Sequence, residues 1–114
     1  MALMNDVPAP IEFVWIAETI EIPAGTAKAF RCGRHEVAIF NVDDEFYALA
    51  NTCPHQGGPI ADGFLEGALI TCPWHAWCFD VRTGKLTLGD FARVERFALR
   101  RDGNALYVST EPLQ

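Results

Sequence analysis

The sequence predicts an all-β domain, a small antiparallel β-sandwich or barrel. Short runs rich in β-branched and aromatic residues recur along the chain, and glycine, proline or acidic turn signals separate them. The one segment with any helical character is a single turn around Asp62 to Glu66. With 114 residues, the chain can form one domain with a modest core, but it is short for an enzyme with its own substrate pocket.

The elements follow from these runs in chain order. Met1 to Pro10 is polar and contains proline, so we expect a frayed, flexible leader before a single domain at residues 11–114. Strands are expected at residues 13–17, 27–32, 36–42, 46–50, 68–71, 79–81, 92–101 and 104–109. Turns are expected at Pro23-Ala24-Gly25, Gly33-Arg34, Asp43-Asp44-Glu45, Thr83-Gly84 and Asp102-Gly103. The acidic turn and the Asp-Gly turn should each join a hairpin.

Composition and charge narrow the function. The chain has a net charge of −6, with −8 in residues 1–80 and +2 in residues 81–114. This acidic balance argues against nucleic acid or an anionic membrane as partner. No run approaches the ~18 apolar residues of a membrane span, and the N-terminus lacks the pattern of a signal peptide. We therefore expect a soluble, cytoplasmic protein, and the four cysteines show no disulfide framework.

Two short boxes carry the metal-binding chemistry. The first is Cys53-Pro54-His55; sixteen residues later comes Cys72-Pro73-Trp74-His75. Two thiolates and two imidazoles can converge from two loops, and each short step lets one loop ligate two metal atoms. Such a set could hold structural zinc, although zinc sites usually pair Cys with Cys and His with His. It also suits two sulfide-bridged irons, one held by two Cys and the other by two His.

The residues around the boxes resemble the Rieske family. The similarity runs from about Phe13 to about Val108, is densest at residues 53–60 and 72–80, and continues into Arg82-Thr83-Gly84-Lys85. The resemblance implies a [2Fe-2S] cluster, one per chain, held by two loops at one tip of the β domain. The cluster-binding region would span about residues 51–80. The implied cofactor and metal ligands are Cys53, His55, Cys72 and His75, with the two Cys on the inner iron.

Substitutions within the boxes indicate the low-potential branch of the family. High-potential members have a disulfide between the loops, whereas Gly58 and Trp74 occupy those positions here. They also have two hydroxyl groups that donate hydrogen bonds to the cluster, whereas Trp77 and Phe79 have none. Family members often carry a proline-bearing third loop over the cluster, but residues 87–90 contain no proline.

The resemblance implies an electron carrier, not an enzyme, and no catalytic residues. The best interpretation is a ferredoxin that passes single electrons from a flavin-dependent reductase to a terminal Rieske oxygenase in aromatic-ring hydroxylation. One alternative is the small subunit of an assimilatory NAD(P)H nitrite reductase, beside a sirohaem large subunit. The non-redox alternative is a structural zinc module. Docking would use the histidine side of the cluster, with Gln56, Gly57 and Trp74 around it, while Cys32 and Cys78 would serve packing.

Overall fold

A computed structural model describes residues 11–54, 57–74 and 77–113 of the chain. The leader expected at Met1 to Pro10 lies outside these residues and stays a prediction. Within them, nine strands and two single-turn 3₁₀ helices follow one another. The strands are β1 (Phe13–Glu18), β2 (Ala27–Cys32), β3 (His35–Val42), β4 (Glu45–Ala50), β5 (Phe64–Glu66), β6 (Leu69–Thr71), β7 (Cys78–Asp80), β8 (Arg96–Asp102) and β9 (Ala105–Pro112). The 3₁₀ turns are Thr19–Glu21 and Ile60–Asp62.

The strands form two antiparallel sheets. A six-stranded sheet has the order β1-β9-β8-β4-β3-β2, and a three-stranded sheet has the order β5-β6-β7. The described residues contain no α-helix, which confirms the all-β prediction. In the same residues, we find no helix that is long and apolar enough to span a membrane.

Strand β3 separates two hydrophobic cores. Val37 and Ile39 point into one core, and Ala38 and Phe40 point into the other, because successive side chains of a strand face opposite sides. The first core takes buried residues from all six strands of the large sheet. The second joins the large sheet to the small one, and it contains both Cys53 and Cys72. The two cysteines of the predicted metal site therefore belong to a packed hydrophobic core.

Two hairpin turns show how local chemistry sets strand register. Asp43 and Asp44 form the β3–β4 turn with positive φ angles of 52° and 71°, as a tight two-residue hairpin turn requires. The Asp44 N–H donates to the Asn41 side chain at 2.8 Å. At the β8–β9 turn, the prediction was wrong by one residue. Asp102 pairs with Ala105, so the turn residues are Gly103 and Asn104.

Two other segments differ from the prediction. The turn expected around 62–66 is the 3₁₀ turn Ile60–Asp62 followed by strand β5. Gly63 permits this change of direction, because a Cβ there would run into the Thr71 carbonyl oxygen of β6. Strand β8 begins at Arg96, not near residue 92. Residues 92–95 instead pair with the turn at residues 83–85. Arg93 forms an isolated antiparallel β-bridge with Lys85, and the Val94 N–H donates to the Gly84 carbonyl at 2.7 Å.

Candidate metal centre

The first predicted ligand loop leaves the large sheet at the end of β4. Cys53 opens it, and the Cys53 N–H donates to the carbonyl of Gly58 at 2.8 Å. The Gly57 N–H donates back to the Cys53 carbonyl at 2.7 Å, and Gly57 has a φ angle of 75°. That left-handed conformation explains why a glycine stands at this position. These two bonds hold Cys53 beside Gly57 and Gly58.

Asn51 ties this loop to its surroundings, a role that the sequence did not reveal. Asn51 is buried, and its side-chain oxygen accepts a hydrogen bond from the Ala61 N–H at 2.7 Å. Its side-chain nitrogen donates to the Glu36 carboxylate at 3.1 Å, and its backbone N–H donates to the Glu36 carbonyl at 2.9 Å. One amide side chain thus connects β3, the start of the loop and the 3₁₀ turn beyond it. The available signal was weak: an amide side chain directly after the strand predicted at residues 46–50.

The second predicted ligand loop connects β6 and β7 of the small sheet. Cys72 opens it, and the Cys72 N–H donates to the Trp77 carbonyl at 2.7 Å. In both loops, therefore, the cysteine N–H bonds the carbonyl five residues ahead. The two boxes therefore share a backbone hydrogen bond as well as a sequence pattern, although they follow strands of different sheets.

The loops meet at Gly58. A Cβ atom at Gly58 would lie 3.0 Å from the Cys72 sulfur and 3.1 Å from the Trp74 ring. A Cβ there would require the Cys72 sulfur or the Trp74 ring to shift by a few tenths of an ångström. Cys53 and Cys72 are each 1% exposed and belong to one hydrophobic core. No disulfide joins any two of the four cysteines, all of which lie within the described residues.

The donor set fits the [2Fe-2S] group as far as the structure describes it. Two buried soft thiols face a shared core, and glycine leaves room beside one of them. The two predicted histidine ligands, His55 and His75, lie outside the described residues, as does Gln56. Accordingly, within residues 11–54, 57–74 and 77–113, no three His, Cys, Asp or Glu side chains are grouped so that they could hold a metal ion. The four-ligand assignment remains a prediction.

An aromatic contact joins the third loop, residues 87–90 and the adjoining Phe91, to the second ligand loop. Phe91 packs edge-on against Trp77 with 5.7 Å between ring centroids, and Trp77 packs against Phe79 at 6.5 Å. A Cβ at Gly89 would lie 3.3 Å from the Phe91 ring, so this glycine lets the ring fold back over the loop. The Thr87 N–H also donates to the Cys78 carbonyl at 2.9 Å. Aromatic packing thus anchors the loop beside Trp77, which closes the second ligand loop.

Charged pairs flank the second loop and the far end of β9. Asp80 accepts hydrogen bonds from the backbone and side chain of Arg82, and the side-chain bonds chiefly hold the pKa of the Asp80 carboxyl below its usual value. His35 and Arg34 lower the pKa of the Glu111 carboxyl in the same way.

Burial raises the pKa of the Cys32 thiol, helped by the charge of Glu111. Cys32 is thus a buried, protonated packing residue, whereas Cys78 in β7 is partly exposed.

The chain is similar to known proteins across both cysteine loops. The family model described as Rieske [2Fe-2S] domain matches residues 12–98. The ferredoxin component of the naphthalene 1,2-dioxygenase/salicylate 5-hydroxylase systems of Ralstonia sp. is 43% identical over 65 residues, which are 57% of this chain and 62% of that protein. The chain thus spans less than two thirds of this relative. It spans 15% of human apoptosis-inducing factor 3, with 31% identity over 91 residues, or 77% of this chain.

Two further proteins match over most of their length. The ferredoxin component of the alkene monooxygenase system of Xanthobacter autotrophicus is 30% identical over 104 residues, covering 90% of this chain and 85% of that one. A chain in the solved complex of reduced oxygenase and oxidized ferredoxin of carbazole 1,9a-dioxygenase superposes with a TM-score of 0.82 at 27% identity. This match covers 90% of this chain and 96% of that chain. Two cysteine loops over one core and a family match across residues 12–98 agree: the chain belongs to the Rieske family of [2Fe-2S] domains, and its cofactor is a [2Fe-2S] cluster.

Proposed function

We propose that this chain is a one-electron carrier that receives electrons from a flavin-dependent reductase and passes them to a terminal oxygenase of a ring-hydroxylating system. Cys53, His55, Cys72 and His75 would hold the cluster. The observation that carries the proposal is the pair of matched loops, each opened by a buried cysteine and brought into contact at Gly58. Relatives named as ferredoxin components of oxygenase systems support it.

The chemistry of the site is simple. When bound, the cluster accepts and releases one electron. The protein supplies two thiolates and excludes water from them, since Cys53 and Cys72 are almost fully buried. Hydrogen bonds to the Gly58 and Trp77 carbonyls fix the backbone at both cysteines, which limits how far the ligands move when the charge changes. A cytoplasmic carrier is consistent with the thiols of Cys32 and Cys78.

The environment favours a low potential. Trp77 and Phe79 offer no hydroxyl donors, and Phe79 is fully buried in the core that contains both cysteines. A charge added by reduction is therefore stabilised less than in members with hydroxyl donors. We expect a midpoint toward the negative end of the range of about −150 to +300 mV. We also expect it to change little with pH near neutrality.

The test begins with the purified protein. It should be brown-red, contain about two irons and two acid-labile sulfides per chain, and show a Rieske-type paramagnetic signal after one-electron reduction. A colourless protein with stoichiometric zinc would establish a zinc module. Stable co-purification with a sirohaem subunit would establish a nitrite reductase subunit. Transient turnover with a reductase and an oxygenase, weakened by salt, would support the carrier.

A further inference from the structure

The outer face of the three-stranded sheet exposes an aromatic side chain beside the second ligand loop. Phe64 of β5 pairs with Thr71 of β6, which pairs in turn with Cys78 of β7. Paired residues point to the same face of a sheet, and the alternate residues Leu65, Ile70 and Phe79 point into the core. Phe64 therefore points away from the core, and it is 68% exposed.

Phe64 and Trp74 form the walls of an open depression that leads to a predicted ligand. The depression has a volume of about 700 Å³ and is lined by Asp62, Gly63, Phe64, Thr71, Cys72, Pro73 and Trp74. Trp74 is 58% exposed, so two large aromatic rings stand in solvent around Cys72. Exposed aromatic groups that flank a concave site are typical of protein contact surfaces.

The charged side chain that lines this depression is acidic. Asp62 lies in its wall, and no lysine or arginine is among the lining residues. Glu66 is exposed and lies two residues after Phe64 in β5, so it points to the same face of the small sheet.

We propose that this depression, the Phe64–Trp74 cleft, is a docking site for a redox partner protein that presents an apolar group flanked by lysine or arginine side chains. The proposal rests on the electron-carrier function proposed above, and it adds a contact surface on the Cys72 side of the second loop. The apolar group would pack between the two rings, and the basic side chains would face Asp62 and Glu66. Redox encounters of this kind are small and salt-dependent.

Ferric cytochrome c is a suitable probe, because it is a basic one-electron acceptor with an apolar haem edge. The cluster-loaded protein is reduced with dithionite and desalted, then mixed with ferric cytochrome c in a stopped-flow instrument. One electron leaves each carrier and converts one ferric haem to the ferrous form. The second-order rate constant is measured as a function of ionic strength for the wild type and for Phe64→Ala and Asp62→Asn.

Matched variants control for the loss of any exposed apolar or acidic group. Ile20 is 85% exposed in the first 3₁₀ turn, and Asp43 lies in the β3–β4 turn, at the other end of those strands from the first loop. Phe64→Ala should lower the rate constant about tenfold, as loss of an aromatic anchor does. Asp62→Asn should lower it about twofold at low salt, and this effect should vanish at high salt. Ile20→Ala and Asp43→Asn should each leave it near the wild-type value.

The outcomes separate this proposal from the function on which it rests. If the wild-type protein does not carry a reducible cluster, the proposed electron-carrier function is refuted. If the wild type reduces cytochrome c and Phe64→Ala does so equally fast, with an unchanged visible spectrum and midpoint potential, the docking site is refuted. An equal loss in Ile20→Ala would also refute it, because the effect would then be unspecific. A selective loss in Phe64→Ala and Asp62→Asn with unchanged potentials would establish the site.

Discussion

The two ligand loops close alike but are supported by different forces. In each, the N–H of the opening cysteine bonds the carbonyl five residues ahead, at 2.8 Å in the first loop and 2.7 Å in the second. Around the first loop the support is polar: Asn51 bonds Ala61 and Glu36. Around the second loop it is aromatic, through Trp77, Phe79 and Phe91.

This difference follows from the sheets that carry the loops. The first loop leaves a long strand of the six-stranded sheet and must return across β3 to the 3₁₀ turn, so its buried backbone groups need partners. The second loop joins two three-residue strands of a small sheet, which offers few hydrogen bonds. There, large rings supply the contact area. The same ligand arrangement can therefore be held by hydrogen bonds or by packing.

The largest expected effect removes a ligand from either loop. Cys53→Ser and Cys72→Ser should both lose the cluster, because serine is a poor substitute for a soft thiolate. Iron and sulfide analysis and the visible spectrum measure the loss. Cys32→Ser and Cys78→Ser serve as controls and should retain the colour. If either control lost iron, the assignment of the ligand cysteines would be wrong.

The next largest effect concerns the contact between the loops. Gly58→Ala places a Cβ about 3.0 Å from the Cys72 sulfur and 3.1 Å from the Trp74 ring. Overpacking of this kind costs about 1–3 kcal/mol, so we expect a lower iron content and a lower melting temperature. Gly67→Asn is the control, because an added side chain there meets open space. Asn is chosen because it tolerates the positive φ of Gly67. A variant with full iron content and wild-type stability would show that the loops tolerate separation.

The sequence predicted the strand pattern and the Rieske family correctly, for physical reasons. Runs such as residues 36–42 carry strong β propensity, and the paired boxes have a spacing with few alternative meanings. It failed where tertiary contacts decide. Strand β5 has only three residues, which is too short to show a period, and it forms because Gly63 passes close to the Thr71 carbonyl.

The supports of the loops were equally hidden from sequence reasoning. Asn51 joins groups that are 10 and 15 residues away, and Phe91 reaches back to Trp77 across a turn. Neither contact leaves a local pattern, since both depend on how the two sheets pack. The shift of the β8–β9 turn by one residue is similar: the Asp-Gly pair marks the turn, but the strand register decides which residues occupy it.

A third prediction compares the two kinds of support directly. Asn51→Ala leaves the partly buried Ala61 N–H without its acceptor, removes the bond to the Glu36 carboxylate, and should cost about 1–3 kcal/mol. Phe91 is 68% exposed, so Phe91→Ala, which removes one edge-on ring pair, should cost only about 0.5 kcal/mol. Both variants should release iron to a chelator faster than wild type, and Asn51→Ala should do so more strongly. Leu88→Ala, in the same loop as Phe91 and 72% exposed, is the control and should behave as wild type. Equal release rates in Phe91→Ala and Leu88→Ala would contradict a supporting role for the ring.

The smallest expected effect is the acid response of the turn that follows the second loop. Because Arg82 lowers the pKa of Asp80, the ionised carboxylate stabilises the folded state, and this contribution is fully present above the unfolded-state value of about 4. It should fade as the pH drops through the lower, folded-state pKa. Arg82→Gln should reduce the stability near neutral pH, and its deficit relative to wild type should shrink on acidification. Melting curves between neutral pH and about pH 3 measure this difference. Arg34→Gln is the comparison at the far end of β9, where Glu111 is 62% exposed and solvent screens its pair with Arg34, so its deficit should be smaller. A deficit in Arg82→Gln that stayed constant across this pH range would show that the guanidinium stabilises the turn by packing alone.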